Sequence, residues 1–313
     1  MDQLQLQLLG RFAVRRNGQP VPHTDGLKLQ ELLSYLVLNR SHPHNRETLA
    51  GVLWGNGRAD QARKYLRQTL WQLQSSLARE SASGGDEVLT VDAGWVHLNL
   101  DAEMSVDVVE LEHVFDRVRD VPGESFSTET ANAVEAAVAL YHGDLLEGWY
   151  QDWCLLERER LQVMFLIMLD KLMAHCEDRQ EYEGGIAHGH RILAVDRARE
   201  RTHRQMMRLH ALAGDRTSAL RQYERCHDAL AEELDVEPSQ RTNDLYDQIR
   251  ADTFPAPGIV ASVTDRAIAL VDVAAHLKLL RMTLADIDRQ LQHDIQAVDH
   301  LMVDRSCSAV QEQ

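Results

Sequence analysis

Cysteine, aromatic residues and long hydrophobic runs are all scarce in this 313-residue chain. The four cysteines stand far apart without a CxxC pair, so the sequence indicates neither a disulfide framework nor a zinc knuckle. No stretch approaches the roughly 18 apolar residues of a membrane helix. The N-terminus MDQLQLQLLG also lacks the basic region and cleavage site of a signal peptide. We therefore expect a cytoplasmic protein with no membrane partner.

Catalytic and nucleotide-binding motifs are absent as well. The sequence contains no GxxxxGK[ST], GxSxG, HExxH or GxGxxG pattern. One group of histidines deserves a test as a metal site: His188, His190, His203 and His210. No cysteine or carboxylate is spaced to complete such a site, so we interpret them as surface histidines. We expect no enzyme, no metal and no cofactor.

The charge is negative and unevenly distributed. A net charge of −16 argues against nucleic acid as a partner, because a polyanion repels an acidic protein. Residues 1–100, however, contain 11 basic and 9 acidic residues, against 22 and 40 in the remainder. Six basic residues and only two acidic ones fall within residues 41–79. Only this end of the chain is suited to phosphate.

Those basic residues lie in a segment that predicts two helices joined by a glycine-containing turn, residues 45–79. In the second helix, which begins near Ala59, five residues share one face and predict a packed side: Leu66, Thr69, Leu70, Leu73 and Leu77. The opposite side carries Lys64, Arg67, Gln68 and Trp71. A basic, amide-rich helix face suits a DNA major groove, although an ordinary amphipathic helix would show the same pattern.

The surrounding pattern predicts a winged helix. Residues 3–21 alternate apolar and polar positions and then turn at Asn17-Gly18, which predicts a small antiparallel sheet. A leucine-rich helix follows from Leu27 to Leu38. After the two-helix segment, VLTVDAGWVHLNL predicts a hairpin that would form the wing.

Residues 131–249 show successive helical patterns with short breaks, one of them expected at Gly184-Gly185. The helix that follows Asp215 would be capped by that residue and would place six side chains inward: Ala219, Leu220, Tyr223, Cys226, Leu230 and Leu234. Small residues at crossings and a spacing of roughly 35 to 40 residues between helix pairs are typical of tetratricopeptide-like repeats. Such repeats form a groove that binds proteins or peptides and can hold an effector.

A separate C-terminal helix is predicted beyond a linker at residues 253–266. Its apolar residues recur at alternating spacings of three and four: Leu270, Val273, Leu277, Leu280, Leu284, Ile287, Leu291, Val298 and Leu301. This repeat predicts a coiled coil over residues 267–303 and a homo-oligomer, because an isolated helix must bury such a seam. The alternative is a helix that folds back onto the repeat domain.

The segments LLGRFAVRRNGQPV, LLSYLVL, RETLAGVLW and ARKYLRQTLWQLQSSL resemble the winged helix of bacterial antibiotic-regulatory activators. The segments LYHGDLLEGWYQDWCLLERERL and LHALAGDRTSALRQYERCHDALAEELDVEPSQRTNDLYDQI resemble the bacterial transcriptional activator domain that follows it in this family. The resemblance covers about residues 4–250. It implies binding to direct repeats near a promoter and recruitment of RNA polymerase. The chain departs from the family at Gln74, Ser75 and Ser76, where arginines are frequent.

We therefore expect a mainly α protein: a winged helix at residues 1–100, a tetratricopeptide-like activator domain at 101–252, the linker and the coiled coil. The expected function is sequence-specific binding of double-stranded DNA that activates transcription. The residues expected to contact DNA are Arg46, Arg63, Lys64, Arg67, Gln68, Gln72 and, in the wing, His97. The alternative is a protein-interaction adaptor that uses the repeat groove and the coiled coil without strong DNA binding.

Overall fold

The computed structural model describes residues 4–55, 58–77, 88–92, 94–99 and 104–254. The strands are β1 (Leu4–Gln7), β2 (Ala13–Arg16), β3 (Gln19–Pro20), β4 (His44–Asn45), β5 (Leu89–Asp92), β6 (Trp95–Leu98) and β7 (Met104–Val106). The α-helices are α1 (Leu27–Leu38), α2 (Arg46–Trp54), α3 (Ala59–Leu77), α4 (Asp107–Val118), α5 (Thr128–Ala139), α6 (Asp152–Asp178), α7 (Tyr182–Val195), α8 (Glu200–Leu212), α9 (Arg216–Leu234) and α10 (Gln240–Arg250).

The chain begins with a four-stranded sheet in the order β3-β2-β1-β7. The turn between β2 and β3 lies at the predicted Asn17-Gly18, with φ angles of 51° and 80°. Both residues are left-handed, which asparagine and glycine tolerate better than other residues. Strand β7, which follows the wing, returns to pair in parallel with β1. The sheet is therefore completed by residues beyond position 100.

The predicted winged helix is confirmed by α1, α2, α3 and a second sheet in the order β4-β6-β5. Helix α1 has the predicted bounds, and its inward leucines are buried because their spacing places them on one side. The hairpin of β5 and β6 pairs Asp92 with Trp95 across its turn. Gly94 in that turn has a φ of 104°, a conformation that favours glycine.

A buried carboxylate joins the first sheet to the helical region. The side chain of Asp107, the first residue of α4, accepts hydrogen bonds from the backbone nitrogens of Leu8 and Leu9 at 2.8 Å each. It also accepts one from Val108 N at 2.8 Å. Burial raises the pKa of this carboxyl group, while the three N–H donors act to lower it. The contact holds the loop after β1 against the start of α4.

Further contacts connect helix α1 to helix α6. Glu112 on α4 forms ion pairs with Arg40, just after α1, and with Arg160 on α6. The rings of Tyr35 on α1 and Trp153 on α6 pack edge to face, with centroids 5.5 Å apart. A single apolar core also runs from the β1 leucines through α1 and α3 to α6. Within the described residues, the winged helix and the helical region pack as one body.

The helical repeats are confirmed, but the expected break at Gly184-Gly185 is wrong. Both residues lie inside α7, which runs unbroken from Tyr182 to Val195. A Cβ added at Gly185 would lie 2.9 Å from Leu209, and one at Gly189 would lie 2.6 Å from Met206. These glycines allow α7 to approach α8 closely, which outweighs their low helix propensity. The break instead lies just before Tyr182.

Helix α9 begins as predicted, because Asp215 accepts a hydrogen bond from Ser218 N at 2.9 Å. Five of the six predicted inward residues are buried or packed against buried residues: Ala219, Leu220 and Tyr223 in one cluster, and Cys226 and Leu230 in a neighbouring one. Leu234 was predicted inward wrongly, since it is 59% exposed. The helix ends there, at Asp235 in the left-handed conformation.

The interpretation of the histidines as surface residues is wrong for two of them. His188 and His203 are buried. His203 Nε2 donates to the carbonyl oxygen of Arg197 at 2.9 Å, and its Nδ1 accepts from Gln222 at 2.8 Å. His188 lies 2.8 Å from a carboxylate oxygen of Glu135. These partners come from other helices or from loops, so helical periodicity alone did not reveal them.

The lowered pKa values of four histidines predict that the fold is less stable in acid. Burial lowers the pKa of His44, His188, His203 and His210 below the ordinary value of 6.5. The unfolded chain therefore binds protons that the folded chain does not. Their contribution to stability is complete above pH 6.5 and is lost as the pH falls below it. We expect the free energy of unfolding, measured by urea denaturation, to fall between pH 7.5 and 5.5; an unchanged value would contradict the assignment.

Some predictions lie outside the described residues. They are the linker beyond Phe254 and the coiled-coil residues from Leu270 to Leu301. Among the described residues, no group of three or more histidine, cysteine or acidic side chains has the arrangement of a metal site. No helix in the same ranges is long and apolar enough to cross a membrane.

Candidate nucleic-acid interface

Helix α3 has one buried and one exposed face, as the sequence predicts. Six residues face the core: Ala62, Leu66, Thr69, Leu70, Leu73 and Leu77. They pack α3 against α1 and α2. The remaining side of the helix points away from this core and carries the polar and charged side chains.

Four of the predicted DNA-contacting residues lie on that outer face. Lys64, Arg67, Gln68 and Gln72 are all exposed. Within the part of the chain that the structure describes, no carboxylate pairs with Lys64 or Arg67. Two cations and two amides therefore project from about two turns of one helix. This arrangement can bind phosphates and hydrogen-bond to base edges in a major groove.

Arg63 lies on the same helix but is engaged by acidic neighbours. Its guanidinium group lies 2.7 Å from a carboxylate oxygen of Asp60 and 3.1 Å from one of Glu47. The hydrogen bond that Arg63 donates to Asp60 is the largest cause that raises the pKa of Arg63, followed by the charge of Asp60 and by Glu47. A phosphate would have to compete with two carboxylates for this side chain. Arg63 therefore links the start of α3 to α2 in this structure.

Arg46 is the first residue of α2, next to the wing. Its backbone nitrogen donates to the carbonyl oxygen of Gly94 at 2.9 Å, which ties the turn of the wing to the start of this helix. The side chain of Asn45 caps the helix by accepting from Glu47 N at 2.8 Å. Two amide groups of the helix terminus are thus already bonded. A phosphate contact here would depend chiefly on the Arg46 side chain.

The wing presents alternate residues outward. Val96 and Leu98 are buried, whereas Trp95 and His97 are exposed. His97 lies opposite Thr90 in the antiparallel register. The alternation follows from the two-residue period of a strand. The predicted residue His97 is therefore on the solvent side of the wing.

Sequence patterns missed two basic residues that hold the helices of the site in place. Arg16 on β2 donates to the carbonyl oxygen of Leu77, the last residue of α3, at 2.8 Å. Lys28 on α1 donates to the carbonyl oxygen of Leu53 near the end of α2, at 2.6 Å. A cation is favourable at a helix C-terminus, where carbonyl groups lack partners. Neither contact has a local sequence signal, because each joins distant segments.

Comparison with known proteins places the helical region in a family. Residues 106–250 match the model of the bacterial transcriptional activator domain. The fold is similar to that of Mycobacterium tuberculosis EmbR, solved in complex with a low-affinity phosphopeptide, with a TM-score of 0.62 and 20% sequence identity. The match covers 88% of this chain and 71% of the EmbR chain. No curated protein matches the sequence.

The family match and the fold agree with each other. The matched residues begin at the end of β7 and continue to α10, and the winged helix precedes them. The helical repeats of the matched residues are therefore those of a transcriptional activator domain. Residues 106–250 are thus a bacterial transcriptional activator domain that follows a winged helix, and the chain is a transcriptional regulator whose fold is similar to that of EmbR.

Proposed function

We propose that this regulator is a sequence-specific activator that binds double-stranded DNA at promoter repeats and recruits RNA polymerase. The observation that carries the proposal is the outer face of α3. Lys64 and Arg67 are exposed there, beside Gln68 and Gln72, on a helix whose other face is fixed in the core, and no carboxylate of the described residues pairs with either cation. A rigid helix that presents cations and amides matches the geometry of major-groove recognition.

In the proposed complex α3 lies in the major groove. Lys64 and Arg67 contact phosphates or guanine edges, and the two glutamines contact adenine edges. Arg46 binds a phosphate beside the groove, and His97 brings the wing towards the adjacent backbone. Arg63 makes a weaker contribution than its position suggests, because Asp60 and Glu47 hold its guanidinium group.

We propose that the contacts between the winged helix and the helical region allow DNA binding to position the surface that recruits RNA polymerase. Glu112 bridges Arg40 and Arg160, and Asp107 fixes the loop after β1. These contacts give the activator domain a defined orientation on bound DNA. A surface held in a fixed position beside the promoter can bind a polymerase subunit with a smaller loss of conformational entropy than a mobile surface.

The experiment that tests DNA binding is selection from a genomic fragment library at two salt concentrations, followed by sequencing of the recovered fragments. Enrichment of a repeated motif that weakens as salt rises supports the proposal, because each phosphate contact releases counterions. Failure to enrich any motif at low salt contradicts it. The adaptor alternative would then be favoured, in which the acidic remainder of the chain binds protein partners.

Oligomerisation through the C-terminal segment is a further part of the proposal. Deletion of residues 260–313 is expected to reduce both the oligomer size in solution and the affinity for a long fragment with two repeats. Joined DNA-binding domains raise the effective concentration at the second repeat, so affinity for a single repeat should change little. Light scattering and binding titrations measure the two effects. Unchanged affinity for the two-repeat fragment would contradict the role in binding.

A further inference from the structure

The large hydrophobic side chain that α3 exposes most is that of Trp71, which stands among polar and charged residues. Trp71 is 67% exposed, whereas Leu70 on the same turn is buried. Within the described residues, no ring stacks on its indole and no cation lies over it. A tryptophan side chain carries a large apolar surface that is unfavourable to leave in water. An indole held outward on a rigid helix is a contact surface for a partner.

The neighbours of Trp71 identify the kind of partner. Arg67 lies one helical turn before Trp71 on the same face, and Lys64 lies two turns before it. Gln68 lies beside Trp71. One turn after it, the hydroxyl group of Ser75 donates back to the carbonyl oxygen of Trp71 at 2.8 Å. The indole thus projects beyond a short, inward-bonded side chain and next to two cations. A polyanion attracted by those cations would be brought against the ring.

DNA offers such a ring one apolar feature in the major groove. The edges of guanine, cytosine and adenine present hydrogen-bond donors and acceptors there, and thymine adds its C5-methyl group. We propose that Trp71 reads thymine by packing its indole against this methyl group. The inference rests on the proposed DNA-binding function and assigns a specificity residue to it. The polar residues around Trp71 would then fix the register of the helix, and the indole would select the base.

The test uses the fragment motif recovered from the genomic library. Each thymine of the motif is replaced in turn by deoxyuridine, which removes only the methyl group, and affinity is measured for the full chain and for Trp71→Ala. The full chain is expected to bind roughly fourfold more weakly when the contacted methyl is missing. Trp71→Ala should bind the original motif more weakly and should show no further loss at that position. Because the side chain is exposed, this variant retains the buried contacts of α3.

Trp95→Ala is the matched control, because it removes a second exposed indole, on the wing. It should keep the sensitivity to deoxyuridine. The inference is overturned if no thymine position weakens binding by the full chain, or if Trp71→Ala remains equally sensitive. Unchanged DNA affinity of Trp71→Ala would also overturn it and would favour a protein partner for this ring. Absence of any DNA binding by the full chain would instead overturn the proposed function itself.

Discussion

Replacement of Lys64 and Arg67 together by glutamate is expected to abolish specific DNA binding. Both side chains are exposed on the outer face of α3. The double variant removes two favourable contacts with phosphates or bases and adds two repulsive charges. We expect a loss of about 100-fold or more in affinity at low salt. If both residues contact phosphates, the slope of log affinity against log salt should also fall by about 2. Titration of the recovered DNA motif at several salt concentrations measures both quantities.

The control for this experiment is the double variant Arg221→Glu, Arg241→Glu. It changes the net charge by the same amount on exposed residues of α9 and α10. DNA affinity should change little, because α9 and α10 pack against α8 and against each other in the helical region. An equal loss in both double variants would mean that net charge alone governs binding, which would contradict a localised interface. Retention of full affinity by the Lys64 and Arg67 variant would favour the adaptor alternative.

Replacement of Asp107 by asparagine is expected to cost more stability than any surface change. Both carboxylate oxygens of Asp107 accept buried backbone N–H groups, from Leu8, Leu9 and Val108. An asparagine side chain offers only one oxygen and would direct its NH₂ group at a donor. The expected loss is about 3 to 5 kcal/mol in the free energy of unfolding, because a buried hydrogen bond is broken and a donor is left unsatisfied. Urea denaturation at neutral pH measures it.

Asp116→Asn supplies the matched control on the same helix. Its side chain is 67% exposed and lies 3.8 Å from Arg119. A change of this kind at the surface should shift stability by less than about 0.5 kcal/mol. Equal stability of Asp107→Asn and the unmodified chain would contradict the prediction. It would mean that Asp107 is protonated in the folded state, since a protonated carboxyl group and an amide are similar in shape and hydrogen bonding.

The sequence predicted those features that depend on nearby residues. The bounds of α1, the turn at Asn17-Gly18 and the hairpin of the wing follow from short-range periodicity and turn chemistry. The division of α3 into a buried and an exposed face follows from helical spacing in the same way. The positions of Lys64 and Arg67 on the outer face could therefore be predicted before any tertiary structure was known.

Contacts between distant segments could not be predicted. Asp107 binds Leu8 across 99 positions, and Arg16 reaches the end of α3 across 61. Arg63 appeared equivalent to Arg67 in the helical pattern, yet within the described residues Arg63 alone of the two is held by a carboxylate from another helix, that of Glu47. Sequence spacing indicates which side of a helix a residue occupies. It does not indicate which partner from another element faces it.

The difference between local spacing and contacts made by distant segments also explains the predictions that were wrong. Gly185 is a weak helix former by local propensity, but close packing against Leu209 keeps it inside α7. His203 looked like a surface residue because its partners, Arg197 and Gln222, are recognisable only once α8 and α9 have packed together. The sequence by itself therefore determined the elements, their apolar faces and the location of positive charge, all of which depend on local spacing. The tertiary structure decided which charges stay available to a partner and which polar groups are buried, because those properties depend on neighbours that only folding brings together.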